Sequence, residues 1–155
     1  MYPREMPGKE PEYGPTAQTA SANLRRWRET RGMTYTELSN RLKTVAGWDI
    51  SPVGVRRIEN RERRITVDDL TALAAALDVA PIALLMPHSA NQSDECQSTG
   101  RRGTAGQVYR WLRGDALPGD TDDPRKQFMF MIDSRPPWAV AETITTRAGA
   151  DDGDD

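Results

Sequence analysis

Residues 50–64 read ISPVGVRRIENRERR and gather five arginines between Arg56 and Arg64. The chain as a whole has a formal net charge of -2, so this cluster runs against the overall charge. A Ser-Pro pair opens the stretch. The Ser51 hydroxyl can cap a helix, and Pro52 suits the first helical position, where a missing N–H does no harm. The stretch therefore predicts a helix over residues 51–60 that ends in a run of positive charge.

The two faces of this predicted helix differ in polarity when residues are placed at about 100° each. Val55 and Ile58 share one side with Gly54 and Glu59 and are candidate core anchors. The opposite side holds Pro52, Val53, Arg56, Arg57 and Asn60. Such a helix fits the DNA major groove, where arginine can bond to guanine or to phosphate. The alternative is a cationic face that only contacts solvent.

Capping signals predict further helices on both sides of this stretch. Ser21 is the predicted cap of a first helix, and Gly32 is its predicted stop. Two threonine-acid pairs have capping-box spacing ahead of the second and fourth helices: Thr34 with Glu37, and Thr66 with Asp69. The segment PIALLMP predicts a short fifth helix. Five helices within residues 21–88 predict a small all-α domain.

Charge and composition divide the chain into segments. Residues 21–88 carry 11 Lys and Arg against 8 Asp and Glu, a net charge of +3, whereas residues 89–155 carry 8 against 12, a net charge of -4. The proline-rich residues 1–20 predict a flexible leader, and the polar residues 89–103 predict a linker. The basic segment is therefore the one that favours a polyanion partner.

The second half of the chain predicts a short helical extension over residues 104–139. TAGQVYRWLRG has a Thr-x-x-Gln capping box and ends in glycine, and Asp123-Pro124 opens a second helical pattern that stops at PPW. Residues 140–155 end in four aspartates among small residues and predict an acidic, disordered tail. Two short helices bury little by themselves, so residues 104–139 are predicted to fold back on the first domain, to pair with a second copy or to contact another protein.

The first segment resembles a known family. TYTELSNRL, SPVGVRRIEN and TVDDLTALAAALDVAPIALLMP, in that order, are similar to the Cro/repressor-type, or XRE family, helix-turn-helix domain. The resemblance covers about residues 21–87. The longer turn and the RRIENRERR and ALLMP stretches are similar to those of actinobacterial or actinophage members. It implies a five-helix, lambda-repressor-like fold, here with a longer turn at residues 43–50.

The resemblance also implies roles for individual residues toward double-stranded DNA. Pro52, Val53 and Arg57 would face bases, with the first two limited to apolar contacts such as a thymine methyl group. Tyr35 would contact a phosphate at the start of the second helix. The remaining backbone contacts it implies are Asn60, Arg61, Arg63 and Arg64.

Signals for catalysis, metal binding or a cofactor are lacking in the sequence. His88 is the single histidine and follows Pro87 at a domain edge, and no Cys/His cluster, nucleophile elbow or phosphate-binding loop occurs. Cys96 is the single cysteine, which excludes an intramolecular disulfide and fits a reducing compartment. We therefore predict a protein that is not an enzyme and carries no metal and no cofactor.

The sequence thus leads to one main hypothesis and one rival. The main hypothesis is a sequence-specific DNA-binding transcription regulator, a repressor, that reads the major groove with helix 51–60. The rival is a helical adaptor that docks a toxin or polymerase subunit and binds DNA weakly. Neither an export leader nor a run of about 18 apolar residues is present, so we predict a cytoplasmic, nucleoid-associated protein with no membrane contact.

Overall fold

The computed structural model describes residues 13–117 and 122–150, which form two compact units. The first unit extends to His88 and includes Ser98–Gly100, and the second comprises Ser89–Gln97 with the chain from Arg101 onward. The fold is all-α, as predicted: a five-helix domain is followed by a helical extension, with one minor two-stranded sheet among the described residues. No helix in the described part is long and apolar enough to cross a membrane.

The first unit contains the five helices that the caps predict. In chain order they are α1 (Pro15–Thr30), α2 (Tyr35–Arg41), α3 (Pro52–Glu59), α4 (Val67–Ala76) and α5 (Ile82–Leu85). Reciprocal capping boxes form at Thr34 with Glu37 and at Thr66 with Asp69. Gly32 follows α1 with φ 63°, a left-handed conformation that glycine adopts without strain.

Aliphatic side chains from all five helices form one core. Its fully buried members include Leu24, Leu38, Val55, Ile58, Leu73, Leu77 and Leu84. Trp27 is partly buried and packs against this cluster. Because α3 contributes Val55 and Ile58 to this core, its opposite face is directed outward.

The long turn between α2 and α3 is partly helical. A π-helical turn, Leu42–Ala46, extends α2 and ends at Gly47, whose φ is 60°. Ile50 is buried in the core, whereas Trp48 remains 37% exposed. The Ser39 hydroxyl donates a hydrogen bond of 2.7 Å to the Ile50 carbonyl and so fixes the end of the turn. The turn is thus part of the domain.

The first helix begins earlier than predicted. Residues 1–20 were expected to be a flexible leader capped off at Ser21, but α1 starts at Pro15 after Gly14, and Ser21 is fully buried inside the helix. Proline at the first helical position and small side chains at the contact face explain this start. Residues 1–12 lie outside the described part of the chain.

The contact face of α1 includes a buried polar residue. Asn23 is 2% exposed, and its amide donates to the carbonyls of Leu84 and Met86 at 3.1 and 2.7 Å. The side chain thereby satisfies carbonyls at the end of α5 that the short helix leaves without partners. A buried asparagine does not register in an apolar period, so the sequence pattern gave no sign of this contact with α5.

The second unit differs from the sequence expectation in two places. The predicted linker, residues 89–103, contains β1 (Glu95–Ser98), which pairs with β2 (Arg101–Thr104), and the turn between them includes Gly100 with φ 82°. The predicted disordered tail, residues 140–155, falls mostly within helix α8 (Pro137–Ala150). Residues 151–155 lie outside the described part.

The two helices predicted for residues 104–139 are present. They are α6 (Ala105–Leu112), with a capping box between Thr104 and Gln107, and α7 (Pro124–Asp133), capped by Asp123. Arg135 links their ends, because its guanidinium bonds to the Gly114 carbonyl at 2.6 Å and to Asp115 at 2.6 Å. Val108 in α6 and Met131 in α7 are buried apolar side chains.

Candidate nucleic-acid interface

The outer face of α3 is exposed, as the helical periodicity predicts. Val53 is 55% exposed, and Arg56, Arg57 and Asn60 are also exposed, whereas Pro52 is half-buried. The Arg57 guanidinium lies 4.0 Å from the Glu62 carboxylate, and both side chains are more than half exposed. Such a pair is weak in water, so Arg57 can exchange it for another anionic or acceptor group.

Ser51 and Gly54 fix the start of α3. The Ser51 side chain accepts a hydrogen bond of 3.0 Å from the Gly54 N–H, which confirms the predicted cap. A Cβ added at Gly54 would lie 2.9 Å from Ile50 Cγ2 and 3.1 Å from Arg63 Nη1. Glycine at this position therefore permits the close approach of the turn to α3.

A buried carboxylate holds the end of α3 against α1. Glu59 has a fully buried side chain and binds Arg28 with N–O distances of 2.6 and 3.0 Å and Arg25 at 3.3 Å. Tyr35 donates its hydroxyl to the same carboxylate at 3.3 Å, and the Arg28 guanidinium lies over the Tyr35 ring. This Glu59 cluster therefore joins three helices.

Two residues predicted to contact DNA, Tyr35 and Asn60, form hydrogen bonds with members of the Glu59 cluster. Tyr35, predicted to contact phosphate, is half-buried and uses its hydroxyl on Glu59. Asn60 accepts a hydrogen bond of 2.9 Å from Arg25 at its Oδ1 atom, and its side-chain N–H groups make no hydrogen bond to the described residues. Asn60 thus keeps its donors available, whereas the Tyr35 hydroxyl is committed within the fold.

The three arginines after α3 differ in their surroundings. Arg61 is exposed and adopts φ 62°, in the left-handed region that follows a helix end. Arg64 is exposed and makes no ion pair with any described residue. Arg63 is instead half-buried, with its Nη2 atom 3.3 Å from Asp69. Among the described residues, neither Arg61 nor Arg64 therefore has a charged partner.

Asp69 is the centre of a second buried polar cluster. It is 1% exposed and accepts hydrogen bonds from the Trp48 indole at 2.9 Å and from the Thr66 N–H at 3.1 Å, besides the contact with Arg63. Burial by itself would raise the pKa of Asp69, but these hydrogen bonds and the Arg63 charge outweigh it and hold the pKa below its usual range. The cluster thus depends on an ionised Asp69.

Glu37 also has a pKa below its usual range. The cause is hydrogen bonding from the Thr34 backbone N–H, at 2.7 Å, and from the Thr34 hydroxyl. This carboxylate completes the capping box at the start of α2. It therefore orients the helix that packs against α3.

Sequence reasoning missed the partners of Glu59 and the role of Arg63. The only available signal for Glu59 was its position on the core side of the α3 wheel, where a carboxylate needs a cation. Its partners, Arg25 and Arg28, lie more than 30 positions earlier, as the sequence separations of 34 and 31 show. Arg63 was grouped with its neighbours because charge alone does not distinguish a buried pair from a free cation.

The described residues contain no group of three or more His, Cys, Asp or Glu side chains placed to hold a metal ion. Cys96, in β1, is half-buried, and burial raises the pKa of its thiol, which disfavours the reactive thiolate. His88 is exposed at the end of the first unit. The chemistry available at α3 is therefore hydrogen bonding, ion pairing and apolar contact.

Comparisons with known proteins gave one family match and one structural match. Residues 24–84 match a protein-family model described as helix-turn-helix. A solved structure described as a hypothetical transcription factor, NHTF, from Neisseria is 26% identical; the match covers 54% of this chain and 88% of that one, with a TM-score of 0.41. No curated protein matches the chain. Residues 24–84 are thus similar to helix-turn-helix domains.

Proposed function

We propose that the protein is a sequence-specific transcription repressor that reads the DNA major groove with α3 and catalyses no reaction. The observation that carries the proposal is the division of α3 into two faces. Val55, Ile58 and Glu59 are buried against the domain, while Val53, Arg56 and Arg57 are exposed. A rigidly held helix with a small cationic outer face satisfies the steric and chemical needs of groove recognition.

Residues near the start of α3 would contact bases. Arg57 has only a weak, exposed partner in Glu62, so its guanidinium can bond bidentately to guanine O6 and N7. Val53 offers an exposed apolar group suited to a thymine methyl, with Pro52 beside it. Arg56 is exposed on the same face and can serve either a base or a phosphate.

Residues at the end of α3 and beyond it would contact the DNA backbone. Arg61 and Arg64 have charges free for phosphates, and Asn60 retains free N–H donors. Arg63 and Tyr35 remain weaker candidates, because Asp69 and Glu59 already use their polar groups. We therefore assign the electrostatic part of binding mainly to Arg61 and Arg64.

The resemblance to Cro/repressor-type domains supports repression rather than activation as the proposed role. A protein bound within the polymerase-binding site of a promoter would block polymerase there. Such a protein works at the nucleoid, in the cytoplasm. Because the sequence resembles actinobacterial or actinophage members, the operator should be sought in DNA from those sources.

Selection of bound sites from a random DNA library with the purified full-length protein tests the proposal. We expect enrichment of a short sequence that includes guanine, and a palindrome if two copies bind together, with half-sites about one helical turn apart. Transcription in vitro from a promoter overlapping that site should then fall as protein is added. Failure to enrich any sequence, with binding equal on all DNA, would contradict sequence-specific recognition.

The rival function is a protein-interaction adaptor with weak DNA binding. It is favoured by exposed apolar side chains in the second unit, where Trp138 is 70% exposed and Met129 46%. Large exposed apolar side chains commonly mark protein contacts, here with a second copy or another protein through residues 104–139. A mobility-shift titration separates the two functions, because the adaptor would show similar, weak binding to selected and random DNA.

A further inference from the structure

A cleft of about 400 Å³ lies within the first unit and is separate from the outer face of α3. Its walls are largely apolar and include Ala17 and Ala20 of α1, Leu70 of α4 and Leu85 of α5. A volume of this size falls in the range of small-molecule sites, which is about 300–1,000 Å³. The cleft can therefore accept the apolar body of a small ligand.

One charged group adjoins this apolar cleft. Arg64 contributes to its lining, is exposed, and makes no ion pair with the described residues. The other polar groups near it are already paired: Thr16 and Thr99 bond to each other at 2.8 and 3.3 Å, and the Thr66 hydroxyl caps α4. An apolar cleft with a single free cation at its margin is complementary to an amphipathic anion.

We propose that this cleft binds a small amphipathic carboxylate and that the ligand regulates DNA binding through Arg64. The inference rests on the proposed function, in which Arg64 contacts a DNA phosphate. A carboxylate bound in the cleft pairs with the same guanidinium and withdraws its charge from the DNA. Ligand binding and DNA binding then oppose each other, and by linkage each weakens the other by the same factor.

Binding to the cleft is tested first without DNA, with octanoate as the probe and 1-octanol as its neutral counterpart. In an NMR titration of the full-length protein, octanoate should bind saturably and shift the amide signals of Ala17, Arg64, Leu70 and Leu85. Arg64→Met keeps an apolar stem but removes the charge, so octanoate affinity should fall roughly three- to tenfold while 1-octanol affinity stays the same. Ala17→Leu should weaken both probes by filling the cleft.

Regulation is tested by measuring the affinity for selected DNA with and without octanoate. We expect octanoate to weaken DNA binding by the wild type and by an Arg57→Ala variant, and to have no effect on Arg64→Met. Octanoate shifts that do not saturate, or equal octanoate affinity in the wild type and Arg64→Met, would overturn the ligand site. Saturable binding with unchanged DNA affinity would overturn the regulation, and absence of any DNA binding would count against the proposed function instead.

Discussion

The two units of this protein differ in how they bury apolar surface. In the first unit, aliphatic side chains of five helices meet in a continuous core, and the buried carboxylates of Glu59 and Asp69 form ion pairs with arginines. Among the described residues of the second unit few apolar side chains are buried, Val108 and Met131 among them, while Phe128 and Trp138 are 38% and 70% exposed. Similar helical patterns in sequence thus produce unequal packing.

An outward-facing functional helix needs a rigid support, which the first unit provides. The Glu59 cluster ties α3 to α1 and α2, so the cationic outer face has a fixed orientation. The second unit has exposed apolar side chains without comparable support, which suits contact with another protein better than groove recognition. Removing the support should therefore affect the first unit far more than equivalent changes affect the second.

The largest effect is expected for Glu59→Gln. The substitution leaves Arg28, whose side chain is 11% exposed, beside a neutral group, and breaking a buried pair costs about 3–5 kcal/mol. We expect the free energy of unfolding of the first unit to fall by about that amount in urea titrations monitored by circular dichroism.

Glu62→Gln is the matched control for this substitution. Its carboxylate is 56% exposed and 4.0 Å from Arg57, so the stability change should be within about 0.5 kcal/mol. Equal stability of the Glu59→Gln and Glu62→Gln variants would show that the buried cluster does not support α3.

A smaller effect, dependent on pH, is expected for Asp69→Asn. Loss of charge-assisted hydrogen bonds should cost about 1–3 kcal/mol near neutral pH. Because the folded-state pKa of Asp69 is lowered, its stabilisation is complete above the unfolded carboxyl pKa of about 3.9 and is lost as the pH falls through the folded value.

Melting temperatures between pH 7 and pH 2 measure this dependence. The wild type should lose stability below about pH 4, and Asp69→Asn should lose less over the same interval. Asp68→Asn, at the exposed neighbouring position, serves as the control and should follow the wild type. A variant curve parallel to the wild-type curve would mean that the Asp69 cluster does not control the acid response.

The smallest effect on stability is expected for the double variant Phe128→Ala/Trp138→Ala. Both side chains are substantially exposed, so each substitution should change the free energy of unfolding by no more than about 0.5 kcal/mol. Self-association, or binding of a protein partner, should nevertheless weaken. Sedimentation equilibrium and thermal melting together check this, and a large loss of stability with unchanged association would show that these side chains support the unit internally.

The sequence predicts the first unit well because its signals are local. Capping boxes at Thr34 and Thr66, the stop at Gly32 and the helical spacing of Val55 and Ile58 each require only neighbouring residues. These signals define the helices and the outward face of α3. The beginning of α1, residues 15–20, escaped prediction because its threonines, alanines and glutamine have no apolar period.

The rest of the site depends on distant contacts. The pairing of Glu59 with Arg28 spans 31 positions, and the Trp48 bond to Asp69 spans 21. No local pattern distinguishes Arg63, which is held by Asp69, from Arg64, which is free. The β1–β2 hairpin and α8 were missed for a related reason, because polar strands and a helix rich in small residues lack a strong hydrophobic period.

The most direct test of the central claim is a salt titration of Arg57→Ala and Arg64→Ala on selected and random DNA. We expect Arg57→Ala to lose about 1–3 kcal/mol on the selected site and little on random DNA, because a base contact carries the difference. Arg64→Ala should weaken both DNAs alike and make the salt slope shallower by about one unit. Equal losses for Arg57→Ala on both DNAs, or no loss on either, would contradict base reading by α3.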